Sequence, residues 1–141
     1  MRIIGLDLGE KRIGVAAADD RTQVAVPVTT VPAGGDAVAA IAKLVEEQQP
    51  DEIVIGLPLS MTGAMGRQAE RAMAVVEALR ERLAVPVRTW DERLTTVQAG
   101  RVPSAVGGRR RRSERPKGIK DSIAAAILLQ AYLDSRRSIR A

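Results

Sequence analysis

The 141-residue chain contains no cysteine, no histidine and no phenylalanine, and its only aromatic residues are Trp90 and Tyr132. The absence of cysteine excludes disulfides, thiolate metal sites and a cysteine nucleophile. The absence of histidine excludes imidazole metal sites and a Ser-His-Asp triad. Any metal must therefore be bound by oxygen ligands, which favours Mg²⁺ or Mn²⁺. With so few aromatic side chains, recognition of nucleic acid by stacking several bases is not expected.

Long hydrophobic runs are also missing. The longest apolar stretch, Ile123–Leu129, is much shorter than the ~20 residues that span a bilayer. Asp7 and Glu10 interrupt the N-terminal region where a signal peptide needs an apolar run. We therefore expect a cytoplasmic protein with no membrane partner. The length predicts one domain over residues 1–141, because single domains commonly have ~100–150 residues.

Positive charge is concentrated in one segment. The formal net charge is +5, yet residues 101–120 alone carry eight basic side chains against the single acid Glu114. Prolines and glycines in this segment break both helical and strand periodicity, so it is predicted to be a loop. Such a loop is typical of a nucleic-acid-binding arm, although a solvated linker or a docking site for an acidic protein would have the same composition.

The N-terminal part is predicted to form three strands joined by short polar turns. These strands cover Ile3–Leu8, Ile13–Ala18 and Val24–Val31. Short connections favour antiparallel pairing. Pro27 indicates that the third strand is irregular or lies at an edge of the sheet.

The remainder alternates between helices and strands. Helices are predicted over residues 36–49, 67–83, 94–99 and 121–137, and strands over residues 53–57 and 86–90. An antiparallel three-strand meander followed by parallel βα units predicts an α/β fold, with a mixed sheet and helices on both faces. The last helix is apolar almost all round, so it is expected either to be buried or to share its surface with a partner subunit.

Three acidic residues lie at unusual places in this pattern. Asp7 lies late in an apolar strand, Glu92 directly follows a strand beside Asp91, and Asp121 begins an apolar helix. Each also has an ordinary structural interpretation. Asp7 could close a turn with Gly9, Asp91 could start the following helix, and Asp121 would interact favourably with a helix dipole.

Acids at the ends of elements of one sheet can converge, and convergent carboxylates are the ligands that Mg²⁺ and Mn²⁺ prefer. Two such ions, ~3.5–4 Å apart, activate a water and stabilise the leaving oxygen of a phosphodiester. Neither task needs histidine. The pattern is therefore compatible with metal-dependent phosphodiester hydrolysis, and the ordinary structural interpretations of the three acids stay open.

Four segments of the chain resemble the YqgF/RuvX family. They are DLGEKRIGVAAAD (7–19), GLPLSMTG (56–63), DERLTT (91–96) and KGIKDSIAAAILLQAYL (117–133). The resemblance spans nearly the whole chain, and the first and third motifs together are highly specific. It implies an RNase H-like fold and a nuclease that matures the 5′ end of pre-16S ribosomal RNA during ribosome biogenesis, related to Holliday junction resolvases.

The resemblance also implies roles for individual residues. Asp7, Glu92 and Asp121 would be the catalytic, metal-binding carboxylates. Asp91 is the alternate, because a shift of one residue at a strand end moves a side chain to the other face. Nucleic-acid contacts would come from the turn after the first strand and from the basic loop, through phosphate-binding forks. These residues are Lys11, Arg12, Arg109, Arg110, Arg111, Arg112, Arg115 and Lys117.

Three positions depart from the expected pattern. Ser60 and Thr62 replace an Asn and an Asp, so a polar role at that loop is not carried over. Gly118 occupies a place where resolvase relatives often have a fourth metal-side residue. With three acids, a second metal would bind weakly until a substrate phosphate supplies further oxygens.

Other functions remain open at this stage. A Holliday junction resolvase-type DNA endonuclease would need two active sites and hence a homodimer. A non-catalytic RNA-binding assembly factor would use the basic loop equally well. An actin-like ATPase or sugar kinase also begins with an Asp-x-Gly strand, but nucleotide there is held between two lobes and this chain supplies one.

Overall fold

The computed structural model describes residues 1–19, 21–34, 36–60, 62–94 and 119–140, and side chains within the last range only from 120 to 136. The predicted helix over residues 94–99 and the basic loop lie almost entirely outside these ranges. Arg109, Arg110, Arg111, Arg112, Arg115 and Lys117 are therefore not placed.

Five strands form one mixed sheet in the order β3-β2-β1-β4-β5. They are β1 (Arg2–Leu8), β2 (Arg12–Asp19), β3 (Ala25–Pro32), β4 (Glu52–Leu57) and β5 (Val87–Asp91). The pairs β1–β2 and β2–β3 are antiparallel, whereas β1–β4 and β4–β5 are parallel. The predicted meander followed by parallel βα units is thus confirmed, and β3, with Pro27 beside a register shift, is an edge strand.

Within the described ranges, three helices cover the two faces of the sheet: α1 (Ala37–Gln48), α2 (Arg67–Arg82) and α3 (Ile119–Arg140). The Asp36 side chain caps α1 by accepting from the Ala39 N–H at 3.0 Å, as its position before an apolar helix predicts. Gln49 ends the same helix in the left-handed conformation. Most ends of the predicted helices and strands differ from the observed ends by one to three residues. Such differences are usual, because the terminal residues of an element are its least sharply defined part.

The alternation of side chains along β1 divides the core into two layers. Ile4 and Leu6 face α1 and α2, whereas Ile3 faces α3. The apolar character of α3 is explained by this packing, because its middle turns bury Ala125, Leu129 and other side chains against β1, β2 and β3. None of the helices within the described ranges combines the length and apolar character that a bilayer crossing requires.

Candidate active site

Two of the predicted carboxylates meet at the edge where the parallel strands end. Asp7 is the penultimate residue of β1, and Glu92 directly follows β5, which is separated from β1 only by β4. Because carboxyl ends of parallel strands share one edge of a sheet, the two side chains converge there. The two carboxyl groups lie close enough to shift each other's pKa and to share a hydrogen bond when one of them is protonated.

Two glycines create the space for this convergence. A Cβ at Gly56 of β4 would lie 2.6 Å from Oε1 of Glu92, so the glutamate lies directly over the backbone of the strand between its own and that of Asp7. A Cβ at Gly14, which pairs with Asp7 in the β1–β2 ladder, would overlap the backbone carbonyl of Asp121. The first turn of α3 therefore lies against β2 beside Asp7, because Gly14 has no side chain.

The third predicted carboxylate, Asp121, lies near Asp7 but forms an ion pair with Arg12. Oδ2 of Asp121 accepts from Nε of Arg12 at 3.0 Å, and the two side chains are 28% and 38% exposed. Arg12 begins β2 after a tight turn in which the Gly9 N–H donates to the Arg12 carbonyl at 3.0 Å. The charge of Asp121 is near enough to raise the pKa of Asp7.

None of the ion pairs found in the described part of the chain neutralises Asp7 or Glu92. Partial burial raises the pKa of Asp7, an effect that the hydrogen bond from Glu92 partly offsets and the charge of Asp121 reinforces. Burial, followed by the charge of Asp7, raises the pKa of Glu92 to about 7. At neutral pH the pair therefore tends to retain one proton. A bound cation would replace that proton and relieve the same repulsion.

Asp91, the alternate carboxylate, is engaged elsewhere. It is the last residue of β5, and its oxygens accept from Nε of Arg93 at 2.9 and 3.0 Å. This hydrogen bonding lowers the pKa of Asp91, in contrast to the raised pKa of Glu92. The geometry favours Glu92 over Asp91 as the partner of Asp7.

The donor set suits a divalent cation, although it is not assembled as a complete ligand shell. Within the described part of the chain, no three acidic side chains form a ready-made metal site. Asp7 and Glu92 supply adjacent oxygens with a proton to release, and Asp121 would join them if it parted from Arg12. Oxygen ligands of this kind fit Mg²⁺ or Mn²⁺.

A cleft of about 190 Å³ opens beside the pair. Its wall includes Asp7 and Glu92, the turn residues Gly9 and Glu10, and one side of α2. The α2 residues that line it are Gln68, Arg71, Ala72 and Val75. Sequence reasoning did not single out Gln68 or Arg71, because isolated polar residues on an amphipathic helix carry no pattern that separates a cleft wall from solvent.

The loop between β4 and α2 contains the departures from the family pattern. Ser60 Oγ lies 2.9 Å from Thr62 Oγ1, and the Ala64 N–H donates to Ser60 Oγ at 3.2 Å. Gly63 has a φ of 86° in the same loop. The two hydroxyls therefore stabilise the loop itself. Lys11, from the predicted nucleic-acid contacts, is exposed in the turn before β2.

The architecture and the carboxylate edge place the protein in the class of RNase H-like, resolvase-type folds. RuvC of T. thermophilus bound to a Holliday junction substrate has the same fold, with a TM-score of 0.63 and 15% identity over 98% of this chain and 96% of that one. The Fowlpox virus resolvase in complex with Holliday junction DNA gives a TM-score of 0.62 and 12% identity, covering 96% and 99% of the two chains.

Sequence comparison identifies the family within that class. The family model described as "RuvX: Holliday junction resolvase" matches residues 1–135, and the chain belongs to this family. A Chloroflexus aggregans protein named "Putative pre-16S rRNA nuclease" is 45% identical over 96% of this chain and 95% of its own length. A Caldanaerobacter subterraneus relative of the same name is 43% identical over 98% of this chain and 99% of its own length.

Proposed function

We propose that the protein is a metal-dependent nuclease of the cytoplasm that cleaves precursor 16S ribosomal RNA during maturation of its 5′ end. The observation that carries this proposal is the hydrogen-bonded Asp7–Glu92 pair, next to Asp121, at the rim of an open cleft. A chain without histidine or cysteine has few other means of hydrolysing a phosphodiester. The names of its relatives support precursor 16S ribosomal RNA as the substrate.

Asp7, Glu92 and Asp121 would hold Mg²⁺ or Mn²⁺, which when bound supplies an activated water and stabilises charge on phosphate oxygens. The residues of the chain perform the remaining tasks. Glu92, with its raised pKa, would release to solvent water the proton that it shares with Asp7 when a cation binds. Arg12 lies at the rim, where its guanidinium can contact a substrate phosphate once it leaves Asp121. The ends of β1 and β5 place Asp7 and Glu92 side by side, because Gly56 of the intervening strand leaves room for Glu92.

The remaining nucleic-acid contacts are proposed for Lys11 and the basic loop. Lys11 lies two residues beyond Gly9, which lines the cleft. The six basic residues of the loop, Arg109, Arg110, Arg111, Arg112, Arg115 and Lys117, precede α3 in the chain. Their charge would bind the phosphate backbone without reading sequence, because phosphate contacts position a substrate and do not specify bases.

Cleavage of branched DNA is the second candidate, because the matching family model is described as a Holliday junction resolvase. Symmetric cutting of a junction requires two sites and therefore a homodimer. Much of the apolar surface of α3 is buried within the protomer, and Ile123, Ala124 and Ile127 are only partly buried. The names of the relatives favour RNA.

The deciding experiment compares a precursor rRNA fragment with a synthetic four-way DNA junction under identical salt and metal. We expect cleavage of the RNA in Mg²⁺ or Mn²⁺ and none in EDTA. Glu92→Gln should abolish cleavage, whereas Glu47→Gln, an exposed control on α1, should leave it intact. Cleavage that persists in Glu92→Gln would contradict the assigned site. RNA binding without cleavage by the wild-type protein would favour an assembly factor.

A further inference from the structure

The side of α2 that faces the cleft differs from the side that faces the core. Ala69, Ala72, Val76 and Leu79 are buried beneath the helix. The cleft side presents Gln68, Arg71 and Val75, and it meets the core side at Ala72, which belongs to both. These four residues are spaced as i, i+3, i+4 and i+7 and so form one stripe. The first two turns of α2 thus present an amide and a guanidinium to the same cleft that begins at the Asp7–Glu92 pair.

Arg71 is available to bind an anion. Among the described residues that line the cleft it is the only cationic side chain, and it is exposed. The positions three and four residues away on α2 hold Arg67, Gln68, Ala74 and Val75, so no acid on the helix can pair with it. Across the part of the chain with described side chains, the ion pairs found involve other arginines.

The other arginines near the sheet are already engaged. Arg12 pairs with Asp121, Arg93 with Asp91, and Nε of Arg80 donates to the carbonyl of Val87 at 3.0 Å. Arg71 therefore combines exposure and a position on the cleft wall, and no ion pair found among the described side chains includes it. A guanidinium presents several N–H donors in a fixed fork that matches two oxygens of a phosphate.

The shape of the cleft indicates what part of a substrate it receives. Its volume of about 190 Å³ is below the ~300–1,000 Å³ of pockets that enclose a whole small ligand. Ala33, Ala37, Pro58 and Val75 give it apolar walls. One unit of a longer chain, with an anionic group directed at Arg71, fits these properties better than a complete free metabolite.

We propose that Arg71, assisted by the amide of Gln68, forms a binding subsite for the backbone phosphate next to the one that is cleaved. This inference rests on the proposed nuclease function. The scissile phosphate would lie at Asp7 and Glu92, and the substrate backbone would continue along the cleft to α2. Arg71 contacts the substrate in the same way before and during the reaction, so it contributes to binding more than to the chemical step.

The test separates binding from cleavage. RNA binding is measured with a labelled precursor rRNA fragment by fluorescence anisotropy over a range of salt concentrations, in the catalytically inactive Asp7→Asn background. Arg71→Ala should weaken binding about tenfold and reduce the salt slope by about 0.7–0.9, as expected for one lost phosphate contact. Arg71→Lys should restore part of the affinity, because it keeps the charge but not the fork.

The matched control is Arg82→Ala, which removes the same charge from an exposed position at the other end of α2. In the otherwise wild-type protein, Arg71→Ala should raise KM about tenfold with kcat nearly unchanged, whereas Arg82→Ala should change neither. Thermal unfolding of each variant confirms that the fold is retained. Equal affinities, salt slopes and KM values for Arg71→Ala and Arg82→Ala would overturn the subsite.

The two proposals can fail separately. If the wild-type protein does not cleave the fragment but Arg71→Ala still binds it more weakly than Arg82→Ala, the subsite stands and the nuclease function fails. If the wild-type protein cleaves and the two arginine variants behave alike, the nuclease function stands and the subsite is wrong.

Discussion

Two very different glutamates lie at the two ends of β4: Glu52 begins the strand, and Glu92, which follows β5, lies over its other end. At its start, Glu52 has a side chain only 6% exposed, yet its oxygens accept from Arg136 at 2.9 Å, from the Tyr132 hydroxyl at 3.0 Å and from Arg88. At its other end, Glu92 lies over Gly56 and has another carboxylate, Asp7, as its neighbour. The more deeply buried acid is the better neutralised one.

This contrast separates Glu52, which has a structural role, from Glu92, the proposed metal-binding carboxylate. Glu52 joins β4 to β5 through Arg88 and to the end of α3 through Tyr132 and Arg136, whose guanidinium lies 5.4 Å from the centre of the Tyr132 ring. Its partners are all internal to the chain. Among the described residues, no ion pair offsets the repulsion between Asp7 and Glu92, and sites that retain such a cost are candidates for ligand binding.

The largest expected effect follows from removing a carboxylate at the cleft. Asp7→Asn should lower the rate of RNA cleavage by about 10³-fold, because the loss of a metal ligand removes several kcal/mol of transition-state stabilisation. Its thermal stability should equal or exceed that of the wild-type protein, since carboxylate repulsion is relieved. Cleavage assays and calorimetry on the same samples test both points. A variant that is inactive because it is unfolded would break the comparison.

The opposite result is expected at the other end of β4. Glu52→Ala should lower the free energy of unfolding by about 2–4 kcal/mol, because Tyr132 and Arg136 lose their buried partner. Arg88 contributes little to this loss, since its side chain is 58% exposed and can be solvated. Urea denaturation measures the change.

Glu47→Ala, an exposed substitution on α1, is the control for Glu52→Ala and should change stability by less than about 0.5 kcal/mol. RNA cleavage by folded Glu52→Ala should remain within a few-fold of wild type. A loss of cleavage as large as that in Asp7→Asn would show that the two ends of β4 are not functionally separate.

A smaller effect is expected from Gly56→Ala. The added methyl would meet the end of the Glu92 side chain at 2.6 Å, and this flexible side chain would move away from Asp7. We expect cleavage to fall about tenfold, as for a modest displacement of a catalytic group, with little loss of stability. Gly34→Ala, where the methyl meets nothing within 4 Å, is the control. Unchanged cleavage in Gly56→Ala would place Glu92 outside the catalytic group.

The smallest effect concerns pH. Because the pKa of Glu92 is raised from 4.5 to about 7 in the folded protein, the folded state binds more protons than the unfolded state between those values. Stability in metal-free buffer should therefore fall as pH rises from 4.5 to 7, by about 1 kcal/mol after allowance for partial solvation. Glu92→Gln should lack this decline, and saturating Mg²⁺ should reduce it. An identical slope in Glu92→Gln would contradict the assignment.

The sequence by itself determined the elements of the fold and the candidate acids. Apolar runs separated by turn residues predicted the five strands, because a strand buried in a sheet needs apolar side chains. Asp36 predicted the start of α1, because an Asp before an apolar helix is a favourable N-cap residue. Asp7 and Asp121 were conspicuous because an acid at either place is at odds with its apolar surroundings.

Only the tertiary structure decided which groups meet. Asp91 and Glu92 are neighbours in sequence, and the choice between them depended on where β5 ends and on the hydrogen bonds from Arg93 to Asp91. The burial of Glu52 depended on Arg136, which is 84 residues away, and Arg71 became a cleft residue only through the packing of α2. Local patterns record the propensities of neighbouring residues, whereas these partnerships arise from strand order and helix packing, which bring distant parts of the chain together.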